Sequence, residues 1–213
     1  MTKTLTRLFD DYSDAKAALN DLERIGVSHD SISIVANNAD GAHGDHDTSL
    51  DDVNDRGDVS RGVSTGAAVG GVGGLLAGLG LLAIPGLGPI VAAGWLASTV
   101  VGAGIGAAGG AATGTIVGAL KDAGHTDDEA HVYSEGVRRG GTLLSARVDD
   151  SLATEAEAVL DRHRSVDATT RGAAYRQDGW SRFDEAAPAY TRDEVVAERG
   201  RYGSVSSTNS MTY

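Results

Sequence analysis

The chain of 213 residues has no cysteine, only three prolines and 5% aromatic residues. Without cysteine there is no disulfide framework, no thiolate metal site and no thiol nucleophile. Positive charge is also scarce: 18 Lys and Arg stand against 30 Asp and Glu, a formal net charge of −12. Such a chain carries no overall basic field to hold a phosphate backbone, so nucleic acid is not an expected partner. Residues 1–10 contain no long apolar run of the kind a secretory signal needs, which sets the expectation of a cytosolic start.

One stretch lacks charge altogether. Residues 62–120 are 59 consecutive positions without Asp, Glu, Lys or Arg, and 18 of the 30 glycines fall among them. The mean hydropathy of −0.15 therefore averages two unlike materials, an acidic soluble chain and an apolar block of small residues.

Either side of that block the periodicity predicts two β-α-β halves. Leu5, Arg7 and Phe9 alternate as a strand, Asp10, Asp11 and Ser13 give a helix start, and Ala15, Ala18, Leu19, Leu22 and Ile25 recur at helical spacing up to Gly26. Residues 31–35 read as a second strand. After the block, Thr126 to Glu129 is a capping sequence for a helix to about Arg139, broken by Gly140-Gly141. Residues 142–148 read as a third strand. Residues 152–163 read as a helix with Ala153, Ala156, Val159 and Leu160 inward, and 166–170 as a fourth strand.

The expected fold class is α+β, a ferredoxin-like sandwich in which two helices cover one face of a four-stranded antiparallel sheet. It is split by a long helical hairpin. The domain reading is then 1–36 and 126–171 for the sandwich, 37–61 for an acidic flexible loop, 62–120 for the hairpin, and 172–213 for a polar, mostly disordered tail.

The hairpin reading rests on spacing. Gly62, Gly66, Gly70, Gly74 and Gly78 form one four-residue ladder, and Gly94, Ser98, Gly102, Gly106, Gly110, Gly114 and Gly118 a second, on either side of Ile84-Pro85-Gly86-Leu87-Gly88-Pro89. On a helix such positions share one face, where a second helix backbone can approach closely; this is a glycine zipper. These twelve are the expected helix-packing residues. A first arm over 62–84 would rise roughly 34 Å, enough for a hydrocarbon core of about 30 Å, and the second over 90–120 is longer. Trp95 would sit near the turn as an interfacial aromatic, with Arg56, Arg61 and Lys121 at the open, cytoplasmic end. The turn itself has no polar side chain, which fits a re-entrant hairpin or one buried in an oligomer better than full spanning. Membrane lipid and a second copy of the chain are thus the expected partners.

Other clusters carry little. His43, Asp45, His46 and Asp47 read as a solvated acidic loop and not as a metal site. No Walker-type phosphate loop is present, and Gly104, Gly106 and Gly109 follow a helical pattern and not a strand. Arg138, Arg139, Arg162 and His163 read as surface charge at helix ends. No catalytic constellation, cofactor motif or small-molecule substrate is indicated.

The stretches TLTRLFDDYSDAKAALNDLERIGVSHDSISIV, LLAGLGLLAIPGLGPIVAAG, DDEAHVYSEGVRRGGTLLSARVDD and AAYRQDGW, in this order across residues 4–181, resemble the bacterial heat-induced general stress protein family. The resemblance implies a split ferredoxin-like domain with a glycine-zipper insertion, a stress-response role and no enzymatic activity. It transfers no catalytic residue. The expectation is a cytoplasmic domain held at the inner membrane by a self-associating hairpin. The alternative is a soluble oligomeric sensory or ligand-binding module, cytoplasmic with its hairpin buried between copies.

Overall fold

The computed structural model describes residues 2–41, 80–84, 86–99 and 116–203. They form a mixed α and β structure around one antiparallel sheet. Its strands are β1 (Thr2–Phe9), β2 (Ile32–Asn37), β3 (Gly80–Ile84), β4 (Gly88–Gly94) and β5 (Thr142–Asp149), and they lie in the order β1-β5-β2-β4-β3. The helices are α1 (Tyr12–Arg24), α2 (Ile116–Asp122), α3 (Asp127–Arg138), α4 (Ala153–Arg162), α5 (Ala168–Gln177) and α6 (Arg192–Gly203).

The first half forms as its sequence suggests. The Asp11 carboxylate accepts the Ser13 N–H at 2.7 Å and caps α1, whose Ala15, Ala18, Leu19 and Leu22 are buried. The capping box of α3 is also present, with Thr126 and Glu129 exchanging bonds. Strand β5 enters between β1 and β2, antiparallel to both, so that Ser145 lies opposite Thr6 on one side and Ser33 on the other.

Alternation along these strands feeds two separate cores. Leu5, Phe9, Ile32, Ile34, Leu144 and Ala146 face α1 and α4. Leu8, Val35 and Leu143 face the opposite way, toward α2, α3, α5 and Phe183. The sheet is therefore covered on both faces, whereas two helices over one face were expected.

Three further expectations are corrected. The fourth strand at 166–170 is reduced to one bridge, Val166 to Leu8, with N···O distances of 2.9 and 2.8 Å. Asp167 then caps α5 by accepting the Thr170 N–H at 2.8 Å, and this local bond turns the chain into helix before a strand can extend.

The helical hairpin is corrected at its tip. Residues Gly80–Ile84 and Gly88–Gly94 are a β-hairpin added to the edge of β2. Gly86 has a φ of +76° and the Leu87 N–H donates to the Ile84 carbonyl at 3.0 Å, a tight turn for which Pro85-Gly86 is the favoured sequence. Runs such as LLAI and IVAA suit either a buried helix or a buried strand, and the open edge of β2 decides for strand. Of the twelve ladder positions, Gly94, Ser98 and Gly118 lie among the described residues, and Gly62, Gly66, Gly70, Gly74, Gly78, Gly102, Gly106, Gly110 and Gly114 lie outside them. Gly94 serves the sheet instead of helix packing: it pairs with Ser33, has a φ of +85°, and a Cβ there would overlap the Ile32 carbonyl oxygen. Ser98 is exposed and donates its hydroxyl to the Trp95 carbonyl at 2.8 Å. Gly118 lies on α2, a helix packed against α3.

The tail from 172 to 213 was expected to be mostly disordered. Residues up to 203 instead complete α5, cross the β3–β4 turn and form α6, with Phe183 and Val195 buried. Sparse apolar residues hid this, since each buried anchor is a single side chain among charged ones.

Gly94→Ala is expected to lower stability by at least about 2 kcal/mol, because it adds backbone overlap to an unfavourable φ. Gly26→Ala, also at positive φ but with no atom within 4 Å of the added Cβ, should lose only about 1 kcal/mol. Urea unfolding of the two variants measures the difference.

Candidate functional site: an arginine–aromatic junction and a buried hydroxyl row

The sequence Glu135-Gly136-Val137-Arg138-Arg139-Gly140-Gly141 ends α3 and leads into β5. Glu135 is fully buried. Its Oε1 accepts from Arg138 Nη2 at 3.0 Å and from Arg139 Nε at 2.7 Å. Arg139 also donates to Glu198 at 3.1 Å and lies 4.4 Å over the Tyr175 ring. Burial opposes its charge, but the Glu135 carboxylate beside it more than offsets this and raises the guanidinium above its ordinary value. Arg138 lies over Phe183 and Tyr190. Both arginines were expected as surface charge and are largely buried. A helix end normally meets water, and this one meets the C-terminal segment.

The glycines of the same stretch are set by contact. A Cβ on Gly136 would come within 2.5 Å of Leu8 Cδ2, and one on Gly140 within 2.6 Å of Val195 Cγ1. Nearby, Arg171 is 4% exposed, donates to both Asp10 carboxylate oxygens at 2.8 and 2.7 Å, and lies 4.4 Å over Tyr202. Tyr175 is pushed well above the usual phenol range by burial. The other oxygen of Glu135 and Nε of Arg138 have no hydrogen-bond partner.

A second polar cluster crosses the sheet. Thr6 Oγ1 lies 2.8 Å from Ser145 Oγ and 2.7 Å from His125 Nε2. Ser33 Oγ donates to the Ala93 carbonyl at 2.7 Å and accepts the Leu96 N–H at 3.2 Å. The Tyr133 hydroxyl, pushed up to about 12 by burial, donates to the Thr6 carbonyl at 2.8 Å. A hydroxyl, an imidazole and Glu129 in sequence suggest nucleophile activation, but Glu129 Oε2 lies 3.7 Å from His125 Nδ1, beyond hydrogen-bond range. Thr6 and Ser145 are also sealed from solvent, so this row ties α3 to the sheet.

His131 sits on α3 with both ring nitrogens buried and without a hydrogen-bond partner. Its Nε2 lies 3.6 Å from Asp127 Oδ2. Burial lowers its pKa, Arg182 and Lys121 add to the effect, and Asp127 and Glu185 oppose it. His125 is lowered too, by burial against Glu129. Of the remaining expected charge positions, His163 Nε2 lies 2.8 Å from Asp21 Oδ2 and Arg162 is exposed. Trp95, expected at a membrane interface, opens a helical turn at 95–99 and carries the Arg147 guanidinium 3.8 Å from its ring centroid.

Among the described residues no group of three His, Asp or Glu could hold a metal ion, and no helix is long and apolar enough to cross a membrane. His43, Asp45, His46, Asp47, Gly104, Gly106 and Gly109, with Arg56 and Arg61, lie outside those residues. Compared with family models, curated proteins and solved structures, the chain has no significant match in any of the three.

Sequence reasoning missed the C-terminal half of the junction: Phe183, Tyr190, Val195, Glu198, Arg199 and Tyr202. One signal was there to find. Thr191 and Glu194 form a capping box, with Thr191 N–H and hydroxyl donating to Glu194 Oε2 at 2.7 and 2.8 Å.

Two outcomes are expected. Glu135→Gln leaves two buried guanidinium groups facing a neutral amide, and should lower stability by about 3–5 kcal/mol in urea unfolding. Acid should act through His125 and His131. Both are held neutral by burial while an unfolded imidazole protonates near 6.5, so stability is full above that value and is lost as pH falls through the lowered folded values. The urea midpoint should drop between pH 7.5 and 5.5, a window in which carboxylates with lowered pKa stay ionised. The His125→Gln, His131→Gln double variant should flatten that drop.

Proposed function

We propose that this chain is a non-enzymatic general stress-response protein, in which a split ferredoxin-like module at the cytoplasmic face of the inner membrane associates with lipid and with other copies through its glycine-rich insert. The placement of β5 between β1 and β2, antiparallel to both and backed by α1 and α4, supports the split ferredoxin-like reading. The Val166 bridge stands where the fourth strand of such a module would begin.

One observation carries the functional part. The fold itself uses much of the charge-free block, since Leu87, Ile90, Val91, Leu96, Ile116 and Leu120 are core residues. What remains of the block is 62–79 and 100–115, and these two stretches keep nine of the twelve ladder positions with no charged residue between them. As helices they would rise about 27 and 24 Å, short of a hydrocarbon core of about 30 Å. The proposal therefore narrows to shallow or re-entrant insertion with close glycine packing, and away from full spanning.

The burial of Leu87, Ile90, Val91, Leu96, Ile116 and Leu120 in the core is also what favours the second reading, a soluble oligomeric sensory or ligand-binding module. Alkaline carbonate washing of membranes separates the two. The expected result is retention in the pellet. Complete release, with a discrete oligomer in gel filtration that needs no detergent, would overturn membrane insertion in favour of the soluble module.

A further inference from the structure

Helix α6 is bound to the rest of the chain much as a peptide helix is bound in a groove. Val195, Glu198, Arg199 and Tyr202, spaced i, i+3, i+4 and i+7, lie on one face and meet the rest of the chain, and beside them Arg201 Nη1 donates to the Asp178 carboxylate at 3.2 Å. Val195 is fully buried against Gly140, where any side chain would take its place. Glu198 accepts from Arg139. Arg199 is the most heavily used: Nε donates to the Gly140 carbonyl at 2.6 Å, Nη2 to the Asn37 carbonyl at 3.2 Å, and Nη1 to the Asp40 carboxylate. Tyr202 packs edge-on to Tyr175 with ring centroids 5.7 Å apart, and Arg171 covers it.

The seat comes from three other places in the chain: the end of β2 with Asn37 and Asp40, the α3–β5 corner with Arg139 and Gly140, and α5 with Arg171 and Tyr175. Mixed charge on both sides makes the pairing selective, because Glu198 meets an arginine while Arg199 meets a carboxylate and two carbonyls. The outward faces of α6 are exposed, and no strand of the sheet passes through it. Before it, residues 180–189 lie across the β3–β4 turn, with Phe183 as the single buried anchor. Gly179, at a φ of +86°, donates its N–H to the Arg176 carbonyl at 3.1 Å and ends α5 just before this segment, which leaves it as the junction between seat and segment.

We propose that this seat is an exchangeable helix-binding site, filled in cis by the chain's own segment 180–203 and in trans by the same segment of a second copy. Seat and ligand are carried on one chain, so every copy brings both halves of the interaction. Exchange keeps each contact and changes only which chain supplies it. The segment is terminal to the sheet and can lift without breaking a strand pair. The link between copies is independent of the glycine-rich stretches, so membrane retention and segment exchange can fail separately.

The test uses a fluorescein-labelled peptide of residues 180–203, titrated into the full chain and into full chains carrying Val195→Asp, which loosens the resident segment. Saturable anisotropy is expected, with a Kd at least tenfold lower for the Val195→Asp chain than for wild type. Adding Gly140→Val to that chain should abolish binding. A Val195→Asp chain that keeps the wild-type near-ultraviolet circular dichroism but binds no peptide, or binds a scrambled peptide equally well, overturns the proposal. If Val195→Asp does not fold, a protease site inserted after Gly179 gives the same reading: after cleavage the resident fragment should exchange with labelled peptide, and no exchange over a day at millimolar peptide overturns it. Light scattering of the full chain should show association at high concentration that excess peptide reduces, in whole or down to what the glycine-rich stretches hold on their own. A chain monomeric throughout, or association that excess peptide leaves entirely unchanged, overturns the role of the second copy.

Discussion

Taking a carboxylate out of water is costly unless cations are brought to it, and Glu135 is such a buried carboxylate. Arg138 and Arg139 follow it at the spacing that returns their guanidinium groups to its side chain. Those groups must then be shielded in turn, and Tyr175, Phe183, Tyr190 and Glu198 supply the shield. One buried charge thus recruits α5, the 180–190 segment and α6 to the end of α3. The glycines on either side of the arginines follow from the same crowding, since Leu8 and Val195 occupy the space their side chains would take.

That junction explains why the sheet has no open face. A two-layer sandwich would leave Leu8, Val35 and Leu143 facing water. Here they are covered by helices α2 and α3, which flank the point where the charge-free block rejoins the charged part of the chain, and by a C-terminal segment rich in arginine and glutamate. Thr6, Ser145 and Ser33 line up across three strands on this face and are matched locally: Thr6 bonds to Ser145 and His125, and Ser33 to two backbone groups. A buried polar row of this kind fixes strand register, because a slip of one residue would strand each hydroxyl among leucines.

The parts legible in the sequence were those decided by local chemistry. Asp11 and Thr126 announce their helices by side-chain bonds to the next few residues, and the alternation of β1 and β5 is visible in a handful of positions. The parts that were not legible depended on partners far along the chain. Residues 80–84 and 90–94 read as the facing ends of two helical arms and become strand because β2 has a free edge. Val166 to Thr170 look like strand and become helix because Asp167 finds the Thr170 N–H first. Arg138 and Arg139 look like ordinary charges at a helix end until residues some 45 to 60 positions later fold over them. Of the three ladder positions among the described residues, Gly94 answers a different demand, that of a strand end pressed against the Ile32 carbonyl.

The β3–β4 hairpin has a mechanical consequence. It joins the chain between β2 and α2 to the sheet part-way, at Gly80–Ile84 and Gly88–Gly94. A force entering at Gly80 meets the outermost strand, one entering at the end of β2 meets an inner strand, and one entering at Thr99 or Ile116 reaches the sheet through the turn at 95–99 or the helical layer through α2. These are separate points of entry on one body, and forces applied at several of them would load the sheet and the helical layer above it in different directions at once.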